Sequence, residues 1–496
     1  MKRYHSLLNI LNHIILINCL LISSLLVAES RPNIIFILTD DQRFDEIAAV
    51  GNFPWMETPN LDRLVQEGIH FRNAFVTTSL CGPSRASFLT GTYANKHGVV
   101  ANEYIDYDKN LPTFATLLQE SGYHTGYFGK WHQAMHNRPR PGFDKWMVFW
   151  GQGKYFNDTL MMEDGGTFTI PEGKYLTDQL NELSLEFIDN ASEKDTPFLL
   201  YLSHKALHEP FTPPDRHKNL YANQIIPSQD DPRDDLLSKP EYIQSQALEN
   251  RNRNGGLAAI HHKIPDKMRT ATAVDEGVGK IFERLEEKNL LNNTIVIFAG
   301  DNGYFVSEHG GLHDKRKAYE ESIRIPLLMW NPFVTQPQKI DAMVLNIDLA
   351  PFICEIAGIN PPNHMHGESW QKILEGKSSG RDGFLYEYYK ETEYRPAGGF
   401  AGTPTLLAYR SKDWKYVTYP ESPYKEELYN LAGDPNELFN LIDDPKFLKE
   451  KQSLQKQLKQ ILVKIDYEKP TKISNCLLYT SPSPRDDELS RMPSSA

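Results

Sequence analysis

Cysteine is scarce in this chain of 496 residues, which holds four. Cys19 falls in an apolar leader and Cys476 in the tail, leaving Cys81 and Cys354 for the body. A disulfide framework is thereby excluded, and the core must hold the fold. An excess of positive charge is missing too. The 53 Lys and Arg against 65 Asp and Glu give a formal net charge of −12. Such a chain has no general attraction for nucleic acid, and an anionic substrate would need a local cationic pocket. Long apolar runs are absent from the body, and no internal repeat is visible. The stretch from Ile14 to Ala28 is short and interrupted by Asn18, which argues against a stable membrane span. Preceded by Lys2 and Arg3 and followed by Ala28-Glu29-Ser30, it reads as a signal peptide over residues 1–30. The expected destination is a secreted, periplasmic or lysosome-like compartment. Leu16-Ile17-Asn18-Cys19 has the outline of a lipid-attachment box, but Asn18 stands where a small residue is wanted.

What is present is enough apolar material, 40% of residues, for one large core or two unequal ones. The run Asn33 to Thr39 reads as a buried parallel strand ending in Asp40-Asp41, and Thr294 to Ala299 as another ending in Gly300-Asp301-Asn302. A strand over Pro197 to Leu202 and helical patterns over Leu111–Glu120, Tyr175–Ile188 and Lys267–Lys288 lie between them. This alternation predicts an α/β fold, a large mostly parallel central sheet flanked by helices. In such sheets ligands gather beyond the carboxyl ends of strands, where both acidic pairs fall. The polar stretch Leu220 to Pro265 reads as a long insertion or lid loop. From about Arg381 the pattern shifts to short aromatic strands (384–389, 405–409, 414–419) and a helix over 445–465, a small C-terminal α+β subdomain. The expected division is leader 1–30, a main α/β domain 31–380, subdomain 381–466 and a disordered Ser/Pro/Arg-rich tail 467–496.

The most informative run is Cys81-Gly82-Pro83-Ser84-Arg85-Ala86-Ser87-Phe88-Leu89-Thr90-Gly91. Pro83 suits a first helical turn, Ser84 or Ser87 can satisfy open amides, and Gly91 can close the helix in a left-handed cap. Cys81 then sits at a helix N-terminus, where anions are favoured, with Arg85 adding a cation on the same face. The run resembles the Cys-x-Pro-Ser-Arg-x-x-x-Leu-Thr-Gly signature of the type I, formylglycine-dependent sulfatases of the alkaline phosphatase-like superfamily. The resemblance covers nearly all of residues 31–465. Within the family it looks most like secreted glycan sulfatases such as N-acetylglucosamine-6-sulfatases, on Gly142-Phe143-Asp144 and Gly151-Gln152-Gly153-Lys154-Tyr155.

The resemblance implies that a maturation enzyme converts Cys81 to formylglycine before folding, and that the hydrated aldehyde is the nucleophile. Asp40, Asp41, Asp301 and Asn302 offer hard oxygen ligands, which suit Ca²⁺ or Mg²⁺ better than zinc. The family pattern makes them, with the residue at 81, the site of one Ca²⁺. Gly129-Lys130-Trp131-His132 matches the next block, which implies Lys130 on the sulfate oxygens and His132 on the formylglycine hydroxyl. Gln133-Ala134 departs from the Leu-Gly pair common there. In Ser203 to Pro210 the family's histidine two before a proline selects His208, with His204 the lesser candidate. Lys315, four before Tyr319, matches the second sulfate-binding lysine in preference to Lys317. His208 and Lys315 would assist the departing alcohol. Arg85, Lys130, Lys315 and the ion would form a preset charge clamp. The implied substrate is a sulfated carbohydrate. The rivals are a phosphodiesterase or phosphonate hydrolase on the same fold, and a glycan-binding pseudo-enzyme in which Cys81 is never converted.

Overall fold

A computed structural model describes residues 31–470 apart from 103–104, 134–138, 227, 254 and 392–401. The expected leader and the tail from residue 471 lie outside the described residues. Sixteen strands occur in chain order among these residues. The large sheet contains β1 (Asn33–Thr39), β2 (Ile69–Phe75), β3 (His124–Lys130), β4 (Lys145–Phe149), β5 (Thr159–Met162), β6 (Thr167–Thr169), β7 (Phe198–Ser203) and β8 (Thr294–Gly300). A two-stranded ribbon follows, β9 (Phe305–Val306) with β10 (His313–Asp314). β11 (Leu327–Trp330) and β12 (Gln338–Leu345) return to the large sheet. β13 (Gly383–Tyr388), β14 (Leu406–Ser411), β15 (Trp414–Thr418) and β16 (Glu427–Asn430) form a separate antiparallel sheet.

The large sheet has ten strands in the order β12-β2-β11-β8-β1-β7-β3-β4-β5-β6 and is mixed. Its centre, β8-β1-β7-β3-β4, is wholly parallel, and antiparallel ladders join it to β11 on one side and β5 on the other. Alternation along β1 explains the layers. Ile34, Phe36 and Leu38 enter one apolar core and Ile35 and Ile37 the other, all fully buried. The second core is covered by helices Leu176–Ser192 and Ile264–Glu287, which contribute Leu180, Ile188, Val274 and Ile281. The first is covered by helices Cys81–Thr90 and Phe114–Glu120 and by the small sheet, whose helix Leu448–Lys464 buries Leu454 and Leu458. No helix of the described residues is long and apolar enough to cross a membrane.

Register puts four strand ends level. Thr39 pairs with Gly300, Leu38 with Ser203, and Gly129 with Ser203. The segments that follow β1, β8 and β7, and the last residue of β3, therefore open onto one edge. The expected loop over 220–265 is corrected, since helices Glu241–Asn252 and Gly256–His261 lie inside it. Pro240 takes the N-cap position of the first, and Tyr242, Ile243 and Ala247 are buried. Tertiary contact holds the helix, with Asn250 Nδ2 donating to the Gly311 carbonyl at 2.8 Å.

Candidate active site

Backbone bonds tie the acidic strand ends together. Asp40 N–H donates to the Ala206 carbonyl at 2.9 Å, and Leu207 N–H returns to the Asp40 carbonyl at 2.7 Å. Asp41 adopts a left-handed conformation (φ 57°), and its N–H donates to Asp301 Oδ1 at 3.0 Å. The Cys81–Thr90 helix points its first residue at this edge and ends at Gly91 in a left-handed cap (φ 67°), as its sequence predicts. The expected serine cap is not formed. Ser84 Oγ accepts from Asn346 Nδ2 and Ser87 Oγ pairs with His97, while Asn102 Oδ1 accepts the open Gly82 N–H at 2.8 Å. A buried amide and imidazole reach those hydroxyls first, and no local pattern announces them.

The structure brings the sequence-selected residues together. Cys81 Sγ lies 3.4 Å from Asp40 Oδ1 and accepts from Lys315 Nζ at 3.0 Å. Lys315 also sits on Asp41, and Lys130 on Asp40. Lys130 Nζ donates to Gln152 Oε1 at 2.6 Å. Arg85 donates from Nε to Asp301 Oδ2 at 2.9 Å and from a terminal nitrogen to the Lys130 carbonyl at 2.9 Å. Asn302 Nδ2 donates to Asp41 Oδ1 at 2.6 Å. His208 Nε2 lies 3.7 Å from Asp41 Oδ2. His132 is left-handed (φ 54°) and lines the same cavity, with its buried Nδ1 unpartnered. Of the rejected neighbours, His204 is buried beneath the loop, and Lys317 lines the cavity wall without touching the carboxylates.

Electrostatics follow from this packing. Burial alone would raise Asp40, but Lys130, His208, Arg85 and Lys315 hold it well below the usual carboxylate range. Burial and the Asp40 charge push Asp301 up to about 7. Burial, helped by Asp40, drives the Cys81 thiol up to about 12, so the unmodified side chain is a neutral thiol and a poor nucleophile. Burial lowers Lys315, but Asp41 and Cys81 raise it well above an ordinary lysine. Ligand oxygens of Asp40, Asp41 and Asp301 lie within 4.8 Å of one another. Asp41 Oδ2 and Asn302 Oδ1 are buried acceptors without a partner. Orphaned hard oxygens gathered this closely fit an oxygen-seeking divalent cation.

The cluster floors a cavity of about 560 Å³. Sequence reasoning missed several of its residues. Gln152 braces Lys130 from the loop after β4. Arg316 is held by Glu391, which also accepts from the Tyr388 hydroxyl at 2.9 Å, so the wall extends into residues beyond β13. The insertion helix adds Gln246 and Asn250. These contacts join segments far apart in sequence. For Gln152 alone was there a nearby signal, the Gly151–Tyr155 segment.

The sulfatase family profile matches residues 32–359, and a profile described as N-sulphoglucosamine sulphohydrolase, C-terminal, matches residues 307–464. The chain is 30% identical to N-acetylglucosamine-6-O-sulfatase of Bacteroides thetaiotaomicron, an alignment covering 87% of this chain and 86% of that protein. It is 29% identical to N-acetylglucosamine-6-sulfatase of Homo sapiens, covering 85% and 83%. Among solved structures it is similar to BT4656 in complex with its substrate D-glucosamine-2-N,6-O-disulfate. That TM-score is 0.79 at 27% identity, covering 89% of this chain and 99% of that one.

Proposed function

This chain belongs to the sulfatase family and is a sulfuric ester hydrolase, and from that premise we propose that it removes sulfate from sulfated sugars, with Cys81 as precursor of a formylglycine nucleophile. The observation that carries this reading is the setting of Cys81. Its Sγ lies between Lys315 and Asp40, behind the cavity wall that Lys315 and Asp41 form, and its acidity is suppressed there. A thiol so disposed is inert as it stands, whereas a hydrated aldehyde at the same position supplies a hydroxyl nucleophile. The side chain is fully buried, so conversion by a formylglycine-generating enzyme must precede folding. The relatives' names favour a sulfated carbohydrate as substrate.

Asp40, Asp41, Asp301, Asn302 and the residue at 81 would hold the divalent ion, for which their hard oxygens suit calcium or magnesium and the family pattern favours calcium. When bound, the ion neutralises charge on the ester and on the nucleophilic oxygen. Lys130 and Lys315 bind the sulfuryl oxygens and orient sulfur toward position 81. Arg85 stays locked on Asp301 and contributes fixed charge. His208 Nδ1 donates to the Glu209 carbonyl and burial pushes the ring down to about 4, so Nε2 faces the site and would give a proton to the departing alcohol once the anionic substrate has raised it into the imidazolium form. His132 takes the proton when sulfate is expelled. Export through the leader over 1–30 would bring the enzyme to extracellular or periplasmic glycans.

Mass measurement of the peptide containing Cys81, from an active preparation, tests the nucleophile. Conversion replaces sulfur by oxygen and removes two hydrogens. A preparation with full sulfatase turnover and an intact thiol would overturn the reading.

A further inference from the structure

Lys317 is a buried cation that the sulfate clamp leaves unused. Lys315, Arg316 and Lys317 follow β10, and all three line the cavity. Lys315 is taken by Asp41 and Cys81, and Arg316 is matched by Asp314 and Glu391. Lys263, also in the lining, is matched by Glu209. Lys317 differs. It is 3% exposed, its Nζ donates to the Lys315 carbonyl at 3.3 Å, and the Phe305 ring lies 5.7 Å away. Among the described residues no carboxylate comes within ion-pair distance of it.

One long bond leaves most of an ammonium's three-donor capacity unspent. An unmatched buried charge is costly, so a fold that keeps one has a countercharge to gain from elsewhere. Burial also pushes Lys317 down to about 8, which the nearby Asp314 only partly offsets against Arg316. The cavity falls within the range of small-molecule sites, and Arg316 and Lys263 line it together with Asp41, His208 and Lys315. Lys315 and Lys317 are two residues apart, so their Cα atoms are separated by at most about 7 Å. Substituents on one sugar, or on two linked sugars, meet that spacing.

We propose that Lys317 receives a second oxyanion, sulfate or carboxylate, carried by the same substrate whose ester lies at Cys81. The pocket then selects doubly charged sugars. The assignment rests on the sulfated-sugar reading above, and the two are separable by experiment.

Titration calorimetry on the full chain carrying Cys81→Ala, in which the ester survives, compares N-acetylglucosamine 6-sulfate with N-sulfoglucosamine 6-sulfate. A third ligand, a uronate-linked N-acetylglucosamine 6-sulfate, distinguishes carboxylate from sulfate as the second anion. The expected result is roughly tenfold or greater preference for at least one doubly charged ligand, the worth of one charge-assisted contact. Adding Lys317→Met should erase that preference and leave the N-acetyl ligand within about twofold, while Lys317→Arg keeps it. Because the methionine variant removes an unmatched charge, its melting temperature should not fall. Equal binding of all three ligands, no binding of any, or a preference that survives Lys317→Met would overturn the assignment. So would an equal loss for singly and doubly charged ligands, or a lowered melting temperature, either of which would mark Lys317 as structural. Separately, matured wild-type enzyme must release sulfate from at least one of the three sugar ligands. Failure there defeats the sulfated-sugar reading and leaves the binding comparison to decide Lys317 alone.

Discussion

His208 and Lys130 reach the same small volume from different strand ends, and their chemistry separates their effects. His208 has one ring nitrogen committed to the Glu209 carbonyl and the other near Asp41, which leaves that second nitrogen for the proton transfer proposed above. Such help matters most when the alcohol is a poor leaving group and charge builds on the bridging oxygen. His208→Ala should therefore slow hydrolysis of a sugar sulfate by roughly 10²–10⁴-fold, the usual worth of a general acid. Its effect on 4-nitrophenyl sulfate should be much smaller. Lys130→Ala removes charge from the sulfuryl side, common to both esters, and should depress both alike. Paired kcat/KM values for the two substrates decide the matter. If His208→Ala damages both equally, His208 only binds sulfate. The orphaned oxygens of Asp41 and Asn302 carry a second expectation. Chelation should abolish turnover and lower the melting temperature, because repulsion among the buried carboxylates is then less well compensated. Calcium should restore both, and a chelated enzyme with unchanged turnover would exclude the ion.

At the scale of elements, the junction of β3 and β7 decides where Lys130 stands. Gly129 has φ 112°, and a Cβ there would lie 1.8 Å from the Ser203 carbonyl oxygen. Gly129→Ala thus adds a backbone clash to left-handed strain, and spreading the strands would also disturb Arg85 on the Lys130 carbonyl. The expected loss exceeds about 2 kcal/mol, with activity falling in the surviving folded fraction. Gly165→Ala is the control. Its φ is 82°, but the added methyl would meet nothing within 4 Å, so its cost should stay near 1 kcal/mol. Urea midpoints of the two variants test the difference. β1, β7 and β8 were legible in the sequence because buried parallel strands are continuous apolar runs, and Asp40-Asp41 and Asp301-Asn302 mark where two of them stop. The helix Glu241–Asn252 was not legible. Its outer face is largely polar, and its few buried apolar residues, Tyr242, Ile243 and Ala247, declare themselves only through what they pack against. Asn102 and Glu391 escaped for a related reason: each acts through a partner distant in sequence, Gly82 for one and Arg316 for the other.

Across the whole molecule, one buried histidine joins three regions that the sequence presents as separate. His309 follows β9 and lies between Asp234 of the insertion and Glu321 at 3.1 and 3.2 Å. It stacks on Tyr319 at 4.1 Å, whose hydroxyl donates to Glu427 of the small sheet. Lys239 of the insertion lies near Asp234 at 3.4 Å and donates to the Glu437 carbonyl. Burial and Lys239 oppose a charge on His309, but Glu321 and Asp234 overcome them and raise it to about 9. A histidine raised in the folded state stabilises fully below its unfolded pKa of about 6.5, and that contribution fades as pH climbs through about 9. The shift corresponds to stability on the order of 3 kcal/mol at pH 6, largely gone by about pH 9.5. Buried lysines such as Lys205 and Lys317, each pushed down to about 8, titrate in the same window with the opposite sign. The difference between wild type and His309→Gln therefore isolates the histidine. Urea midpoints measured from pH 6 to 9.5 should show a large gap at pH 6 that narrows steadily toward 9.5. A gap independent of pH would mean that His309 contributes packing on Tyr319 rather than charge. A gap that widened with pH would place its ionisation on the wrong side of neutrality altogether.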